Sequence, residues 1–391
     1  MSATTADGLP VMTFGVEMEV WVFYKVVKPG ENIDKMRKDP ANHGLILVKE
    51  GDDEEKHWNQ CVNDLIRWLQ NIGCHVNGAD PQDLGYSTDV HAAAQAKYLR
   101  WTVDTEIALD VYDEQQKEDD KEGIARAGLE IITPAFRHDD KNYDEITRVI
   151  DSFKEHYRYV IDFQTAVHVH VGAGAQKMPD EWVCRMACLI WVLDPIMNNL
   201  HPVIRRHRDR WCPRSRIWSN LAHGMTAAVA EDPDVRNVYQ DYAAANPPTI
   251  ENGLKELIKC TEATTSARLM LTNQAGACAY NFWSYIFADS RPHAPPTIEF
   301  RQAAGSMNTL WITAWAKICT RVCEYAAFEM DDDELARLAL VCTSIEKEGP
   351  DSPRGQLMLT QATDAFLRSM GLDTIATYVH DTTPDSRAAG Q

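Results

Sequence analysis

The chain has 391 residues, 45% of them hydrophobic, which is enough to bury a large core. Its 39 basic and 58 acidic residues give a net charge of −19, which repels phosphate backbones and anionic lipid surfaces, so we expect no nucleic-acid or membrane partner. The first residues, MSATTADGLPVM, lack the basic start and apolar stretch of a secretory signal, which predicts a cytoplasmic protein. The ten cysteines contain no C-x2-C pair, which predicts buried free thiols.

Helical and strand-like runs are interspersed along the chain. Apolar residues three and four apart predict helices around 58–72, 146–157, 182–200 and 311–326. The strand-like runs are 13–23, 99–109, 128–134, 165–172, 277–287 and 297–303. Because these runs alternate polar with apolar residues, they favour an antiparallel sheet covered on one face, and therefore an α+β fold, over strict α/β alternation.

Several segments lie outside this pattern. Residues 1–12 are predicted to be an N-terminal extension, and residues 13–345 the main domain. Within that domain, 27–57 and the charged run 112–123, YDEQQKEDDKEG, are predicted to be solvated loops or lids. Residues 346–391 are predicted to be a C-terminal helical segment whose tail frays after residue 380.

Four of the strand-like runs place charged residues on one face, because side chains alternate along a strand. The residues opposite the apolar positions are Glu17 and Glu19 in FGVEMEVWV, Glu130 in GLEIITP, His168 and His170 in AVHVHVG, and Glu299 and Arg301 in TIEFRQ. For any one strand, an ordinary solvent-exposed acidic face explains the pattern. Jointly, four Glu, two His and one Arg are the residue types of a metal and phosphate site.

Carboxylates on neighbouring strands would repel one another, so they should either protonate or bind cations. Oxygen ligands with one imidazole suit Mg2+ or Mn2+ better than zinc. Such ions typically hold nucleotide phosphates during phosphoryl transfer, and an imidazole and a guanidinium beside them, here His170 and Arg301, suit contacts with the transferred group.

The motifs FGVEMEV, GLEIITP, TAVHVHVGAG and TIEFRQAAG, in that order over residues 13–330, resemble the amidoligase family of carboxylate–amine ligases related to glutamine synthetase. The resemblance implies a curved antiparallel sheet, as in glutamine synthetase and guanidino kinases, whose concave face binds ATP and two Mg2+ ions, with Mn2+ as an alternative. It also implies that a small-molecule or peptide carboxylate takes the γ-phosphoryl group of ATP. An amine would then attack the acyl phosphate to form an amide.

The resemblance also implies roles for single residues. Glu19 and Glu130 would hold the metal nearer the acceptor, whereas Glu17, His168 and Glu299 would hold the metal between the ATP phosphates. His170 and Arg301 would contact the transferred phosphate, and the main domain would be the catalytic domain.

Three further segments match the family more loosely. WTVDTEIA departs from the family's Trp-x-Val-x-x-Asp-x-Ser strand, and its Asp104 and Glu106 are candidates for the base that accepts the amine proton. In LHPVIRRHRDRWC, Arg205 and Arg206 would add positive charge near the phosphates or pair with surface acids. Asn281, in AYNFWSYIF, would contact substrate or nucleotide or make a structural hydrogen bond.

Other functions fit parts of the pattern. Guanidino kinases use the same ATP chemistry to phosphorylate a guanidino group. Cupin-like oxygenases hold iron with His-x-His and a Glu a few residues later, but here Glu181 follows His170 by eleven residues and the chain has many helical runs. A catalytically silent relative that binds a metabolite or a partner protein is the third alternative. Eleven Trp residues and an apolar C-terminal half leave room for a homo-oligomer interface.

Overall fold

A nine-stranded sheet organises the part of the chain that this computed structural model describes. The described residues are 11–50, 54–77, 98–109, 119, 121, 123–174, 176–206, 212–232, 243–272, 278–286 and 296–389. The strands are β1 (Thr13–Val27), β2 (Ile46–Lys49), β3 (Thr102–Thr105), β4 (Ala125–Ile132), β5 (Phe136–Arg137), β6 (Tyr159–Val160), β7 (Ala166–Gly172), β8 (Tyr280–Asn281) and β9 (Ile298–Ala304).

The strand order is β3-β4-β1-β7-β9-β8, and β2, β5 and β6 pair with β1 beside this path. All neighbours along the path are antiparallel, as the alternating pattern predicts. β2 differs, because it runs parallel to β1. The described strands do not close into a barrel, and with the interspersed helices they form an α+β fold, which confirms the predicted class.

The longer helices follow the predicted apolar periodicity. The helices are α1 (Ile33–Arg37), α2 (Glu54–Asn71), α3 (Asp140–His156), α4 (Asp180–Asn199), α5 (Val203–Arg206), α6 (Ser215–Trp218), α7 (Ala227–Glu231), α8 (Ile250–Leu257), α9 (Ala263–Met270), α10 (Trp283–Ile286), α11 (Thr309–Glu324), α12 (Asp332–Glu348), α13 (Pro353–Ser369), α14 (Asp373–Asp381) and α15 (Pro384–Ala389). A short 3-10 helix spans Pro40–Asn42, and a π-helical turn, Tyr325–Glu329, extends α11.

The core lies between the apolar face of the sheet and the helices. In β1, the alternate residues Val16, Met18 and Val20 are buried in the same cluster as residues of α2, α3, α4 and α11. Burying a side chain of this size contributes about 1.5–3 kcal/mol, so the alternation fixes which face of β1 turns inward. All ten cysteines are buried and free, as predicted.

Several boundary predictions are wrong. The strand predicted over 99–109 is limited to Thr102–Thr105. In the described part of 277–287, which is 278–286, the strand is limited to Tyr280–Asn281 and helix α10 follows. The segment 27–57 is not only loop, because it contains α1 and the parallel strand β2. Most of 112–123 and of the N-terminal extension lies outside the described residues.

The predicted fraying of the tail is also wrong for residues up to 389. Residues 384–389 form helix α15, and Arg387 is buried with its guanidinium bonded to the carbonyl oxygens of Leu200 and Val379. An arginine can anchor a polar tail because it donates several hydrogen bonds in a fixed geometry, which the composition of the tail does not reveal. None of the helices in the described ranges is both long and apolar enough to cross a membrane.

Candidate active site

The strand register brings the predicted polar residues onto one face of the sheet. The cross-strand pairs are Glu17 with His168 between β1 and β7, Glu19 with Glu130 between β1 and β4, and His170 with Glu299 between β7 and β9. Directly opposite residues point to the same face and lie about 4.5–5.5 Å apart at Cβ. The face predicted from alternation within each strand is therefore continuous across four strands.

His168 lies at the centre of this cluster. Its Nδ1 is 3.5 Å from Glu17 Oε2 and 3.5 Å from Glu299 Oε1, and its Nε2 is 3.5 Å from Glu19 Oε1. His168, Glu19 and Glu299 are all buried. One imidazole thus connects three carboxylates from two different strands.

His170 lies two residues further along β7 and is held at both ring nitrogens. Its Nε2 is 3.2 Å from Glu17 Oε1 and 3.9 Å from Glu299 Oε1. Its Nδ1 is 2.9 Å from Thr297 Oγ1, the residue just before β9. These contacts fix the orientation of the ring beside the acidic cluster.

Arg301 and Asn281 contact the two carboxylate oxygens of Glu299. The guanidinium of Arg301 contacts Glu299 Oε1, and Asn281 Nδ2 donates to Glu299 Oε2 at 2.8 Å. Asn281 Oδ1 also accepts from the backbone N–H of Trp283. Asn281 therefore lies at the site, where its side chain orients an acid and makes the structural hydrogen bond that was one of its two predicted roles.

At the other edge, Glu106 and Asp104 approach Glu130. Glu106 contributes a carboxylate oxygen to a group with Glu19 and Glu130 whose ligand atoms all lie within 4.8 Å of one another. Its Oε1 also accepts from Ala108 N at 2.7 Å. Asp104 pairs with Glu130 in the β3–β4 register but is exposed.

Burial and neighbouring charges divide these groups into two sets. Burial alone would raise the pKa of Glu17, yet the charges of His170 and His168 hold that pKa well below its usual range. Burial acts in the same direction on Glu299, and Arg301 and His170 lower its pKa overall. Burial lowers the pKa of His170, but Glu17 and Glu299 outweigh it and raise the pKa to about 9.

Glu130 and Glu106 carry the opposite shift. Burial, followed by the charges of Glu17, Glu106 and Glu19, raises the pKa of Glu130 to about 10. Burial is also the main reason that the pKa of Glu106 is raised. The site therefore has more carboxyl groups than its His and Arg residues can neutralise, and Glu130 holds a proton at neutral pH.

Three overlapping groups in the described residues have the spacing of metal ligands. They are Glu17, His170 and Glu299; Glu17, Glu130 and His168; and Glu19, Glu106 and Glu130. Carboxylate oxygens dominate each group, which suits a hard divalent ion such as Mg2+ or Mn2+. A cation would also relieve the repulsion that raises the pKa of Glu130, so this donor set fits a metal.

A β-bulge lies beside the centre of the cluster. Val167 pairs with Ala303 and Val169 with Phe300, so β9 has one extra residue opposite His168. Bulges locally increase the twist and redirect side chains, and they are frequent next to active sites. Arg301 lies two residues after Glu299 and reaches the charged face by alternation, while Gln302, the other residue opposite His168, is buried and bonds Asn198.

Arg205 and Arg206 are not brought to the acidic cluster. Arg205 is buried and donates to the backbone carbonyls of Gln302 and Arg301 at 3.2 and 3.0 Å. Arg206 donates to the carbonyls of His201 and Asn199. Arg205 thus supports strand β9 from behind, and both side chains serve backbone groups rather than surface acids.

Sequence reasoning missed two features of the site. Strand alternation does not single out Thr297, although it is the first residue of TIEFRQ and lies just before β9, next to His170. Glu106 was considered only as a base, whereas its carboxylate also belongs to a group with metal-ligand spacing. Its place in a turn after β3, which strand alternation cannot reach, explains why the pattern did not reveal it.

The sheet and its acid, imidazole and guanidinium cluster define a protein with a candidate cation site. A family model described as "Putative amidoligase enzyme" matches residues 10–323, a span that contains every residue of the cluster. The chain therefore belongs to this amidoligase family, as its four motifs predict. No curated protein matches the chain.

Proposed function

We propose that this protein is an ATP-dependent carboxylate–amine ligase that forms an amide bond through an acyl phosphate. The observation that carries the proposal is the convergence of Glu, His and Arg side chains from four strands on one face, in a chain of the amidoligase family. The fold supports it to the extent that the strands from β3 to β8 pair antiparallel, as in the antiparallel sheet that the resemblance implies.

The carboxylates and His168 would hold two Mg2+ ions, which supply charge neutralisation for the phosphates of ATP. The overlapping ligand groups support this assignment, since Glu17 is shared by two groups and Glu130 by two. In this arrangement Glu17 and Glu299 would hold the metal on the nucleotide side, Glu19 and Glu130 would hold the metal on the acceptor side, and Glu106 would stay free beside them.

Four side chains near the metal ligands would act in the phosphoryl transfer. Arg301, whose guanidinium lies within the cluster, stabilises the charge on the transferred phosphoryl group. His170 would donate a hydrogen bond to the same group; in the metal-free protein burial lowers its pKa, but Glu17 and Glu299 outweigh burial and raise that pKa to about 9. Asn281 and Thr297 orient Glu299 and His170 respectively.

Glu106 is the favoured base for the second step, in which the amine attacks the acyl phosphate and loses a proton. Burial raises the pKa of Glu106, which strengthens it as a proton acceptor. Asp104 is exposed and belongs to none of the groups with metal-ligand spacing, so it is the second candidate. The less matched strand β3 and its following turn would then determine the amine specificity.

The test is ATP turnover with panels of carboxylates and amines, followed by mass spectrometry of the products. Glu17→Gln should lower ADP release at least about 100-fold, because even the outer partners of metal ligands are worth about 10–100-fold. Glu251→Gln, on the exposed face of α8 where Glu251 pairs with Lys255, is the matched control and should leave turnover unchanged. Glu19→Gln should retain more ADP release but form little amide.

Two outcomes would refute the ligase proposal. A stable phosphorylated product without amide would identify a phosphotransferase acting on a guanidino group. The absence of Mg2+-dependent ADP release with every pair, together with measurable metabolite binding, would identify a catalytically silent relative. A cupin-like oxygenase is already disfavoured, because the sheet is not a closed barrel in the described part of the chain.

A further inference from the structure

A second group of cationic side chains lies where the C-terminal helices meet the end of α4. Arg206 and Arg387 line a cavity of about 250 Å3 there, which shares no lining residue with the acidic cluster. Amide and hydroxyl side chains complete much of its wall, among them Asn199, Gln356 and Thr360. These donor types are also the ones that recognise anions.

Arg387 is 2% exposed and is satisfied almost entirely by neutral groups. Its Nη1 donates to the carbonyls of Val379 and Thr382, both at 3.0 Å, and its Nη2 donates to Leu200 O at 2.9 Å. Its guanidinium lies 5.2 Å from the centre of the Trp311 ring. Its Nε, which is buried, has no hydrogen-bond partner among the described residues.

Among the described residues, neither arginine forms an ion pair, although the charges of Asp351 and Asp385 act on Arg206 and that of Asp385 acts on Arg387. Arg214 and Arg216, which are also substantially buried, each pair with a carboxylate, Asp194 and Glu346 respectively. Arg206 and Arg387 have no such ion pair within the ranges that the structure describes. Their guanidinium groups donate hydrogen bonds to backbone carbonyl oxygens instead. In a chain with a net charge of −19, two neighbouring arginines without a carboxylate partner are unexpected.

The pKa values of Arg387 and of the nearby His201 are both lowered by burial and by the positive charges around them. Burial, and then the charge of Arg206, lowers the pKa of Arg387 to about 10 despite Tyr378 and Asp385. His201 is buried nearby with neither ring nitrogen bonded, and its pKa is lowered well below the usual range by burial and then by Arg387, Arg205 and Arg206. Asp364, a carboxylate on the cavity wall, is already held by both of its oxygens at Arg368.

We propose that this cavity, which we call the rear cavity, binds a small oxyanion such as inorganic phosphate, sulfate or a short carboxylate. An oxyanion would accept from the guanidinium groups of Arg206 and Arg387 and from the amide and hydroxyl side chains around them. The volume is below the range of about 300–1,000 Å3 that is typical of larger small-molecule ligands, which favours a small ion. The proposal does not depend on the ligase activity.

The rear cavity lies one helix behind the candidate active site. Arg206 shares the four-residue helix α5 with Arg205, and Arg205 holds the backbone carbonyl of Arg301. An anion bound at Arg206 therefore contacts the same short helix that supports the strand carrying Arg301. This connection gives the site a physical path to the acidic cluster.

The experiment titrates the full chain with inorganic phosphate by calorimetry, without nucleotide and with EDTA. Sulfate and acetate titrations in parallel identify which oxyanion is preferred. We expect one saturable phosphate site whose affinity falls at least about tenfold in Arg206→Gln, because a hydrogen bond to a charged group contributes about 1.5–3 kcal/mol. Arg337→Gln, which removes an exposed arginine paired with Glu334, is the matched control and should bind phosphate like the wild type.

A second measurement guards against a folding artefact. Hydrogen exchange of the α15 amides, residues 384–389, should slow when phosphate is added to the wild type, and Arg206→Lys, which keeps the charge, should retain part of this effect. The proposal is overturned if phosphate does not bind below about 10 mM. It is also overturned if Arg206→Gln binds as tightly as the wild type, or if Arg301→Gln abolishes binding while Arg206→Gln does not.

Discussion

The proton held by Glu130 makes the stability of the metal-free protein depend on pH. Burial and three neighbouring glutamates raise the pKa of Glu130 to about 10, whereas an unfolded glutamate titrates near about 4.3. Between these values the folded state binds one proton more than the unfolded state. The contribution of Glu130 to stability is therefore fully present below the unfolded pKa and is lost as the pH rises towards about 10.

Glu130→Gln removes this dependence, because the amide has nearly the shape of the protonated carboxyl group and does not titrate. The free energy of unfolding of the wild type, relative to the variant, should fall by about 1.4 kcal/mol for each pH unit between about pH 6 and 9. Urea unfolding followed by tryptophan fluorescence, in EDTA at four pH values across this range, measures the difference. Other titrating groups are common to both proteins and largely cancel.

Glu251→Gln provides the control for this experiment. Glu251 is exposed, and its pKa is lowered by a hydrogen bond and the charge of Lys255, so it is ionised at every pH in the series. The free energy of unfolding of that variant should differ from that of the wild type by the same amount at every pH. If the difference between Glu130→Gln and the wild type is also independent of pH, Glu130 is ionised in the folded protein at neutral pH. Our account of unneutralised charge at the site is then refuted.

Three further predictions follow from single contacts. Binding of Mg2+ near pH 8 should release close to one proton, because Glu130 must ionise to become a ligand. Calorimetry in buffers of different ionisation enthalpy measures the number of protons released. A number of zero would contradict the prediction. Thr297→Val should lower the pKa of His170 by about one unit, while Thr297→Ser should not, because the hydroxyl group accepts a hydrogen bond from Nδ1 of the protonated ring. NMR titration of the imidazole ring measures this pKa. Equal pKa values in the two variants would contradict the contact. Gly253→Ala should lower the free energy of unfolding by about 1–3 kcal/mol, since its Cβ would lie 2.3 Å from the buried Trp191 ring; an unchanged urea midpoint would show that the helix can shift without cost.

Strand alternation was a sufficient guide to the face that each polar residue occupies. Glu17 and Glu19, His168 and His170 share a face within their own strands because side chains alternate at every step of a strand. The apolar partners of these residues, such as Val16 and Val169, are fully buried on the other face, as the pattern predicts. This part of the site is local, and local geometry can be read from sequence.

Local pattern misled where longer-range contacts decide. The aromatic run 277–287 reads as a strand, yet β8 ends at Asn281 and a helix follows. Arg205 is predicted to lie near the phosphates or to pair with surface acids, yet it is buried against the backbone of β9. In each case the local structure depends on which distant segment packs against the residue. The residues adjacent in sequence do not reveal that contact.

The sequence by itself determined the family, the α+β class and the set of acids and imidazoles that share a face. Only the tertiary structure decided the strand order, the bulge opposite His168, the entry of Glu106 into the cluster, and the opposite pKa shifts of Glu17 and Glu130. The reason is that Coulomb interactions depend on distance and burial, whereas alternation fixes only direction. Two glutamates on the same face of one sheet thus acquire different charges, because one lies beside histidines and the other beside carboxylates.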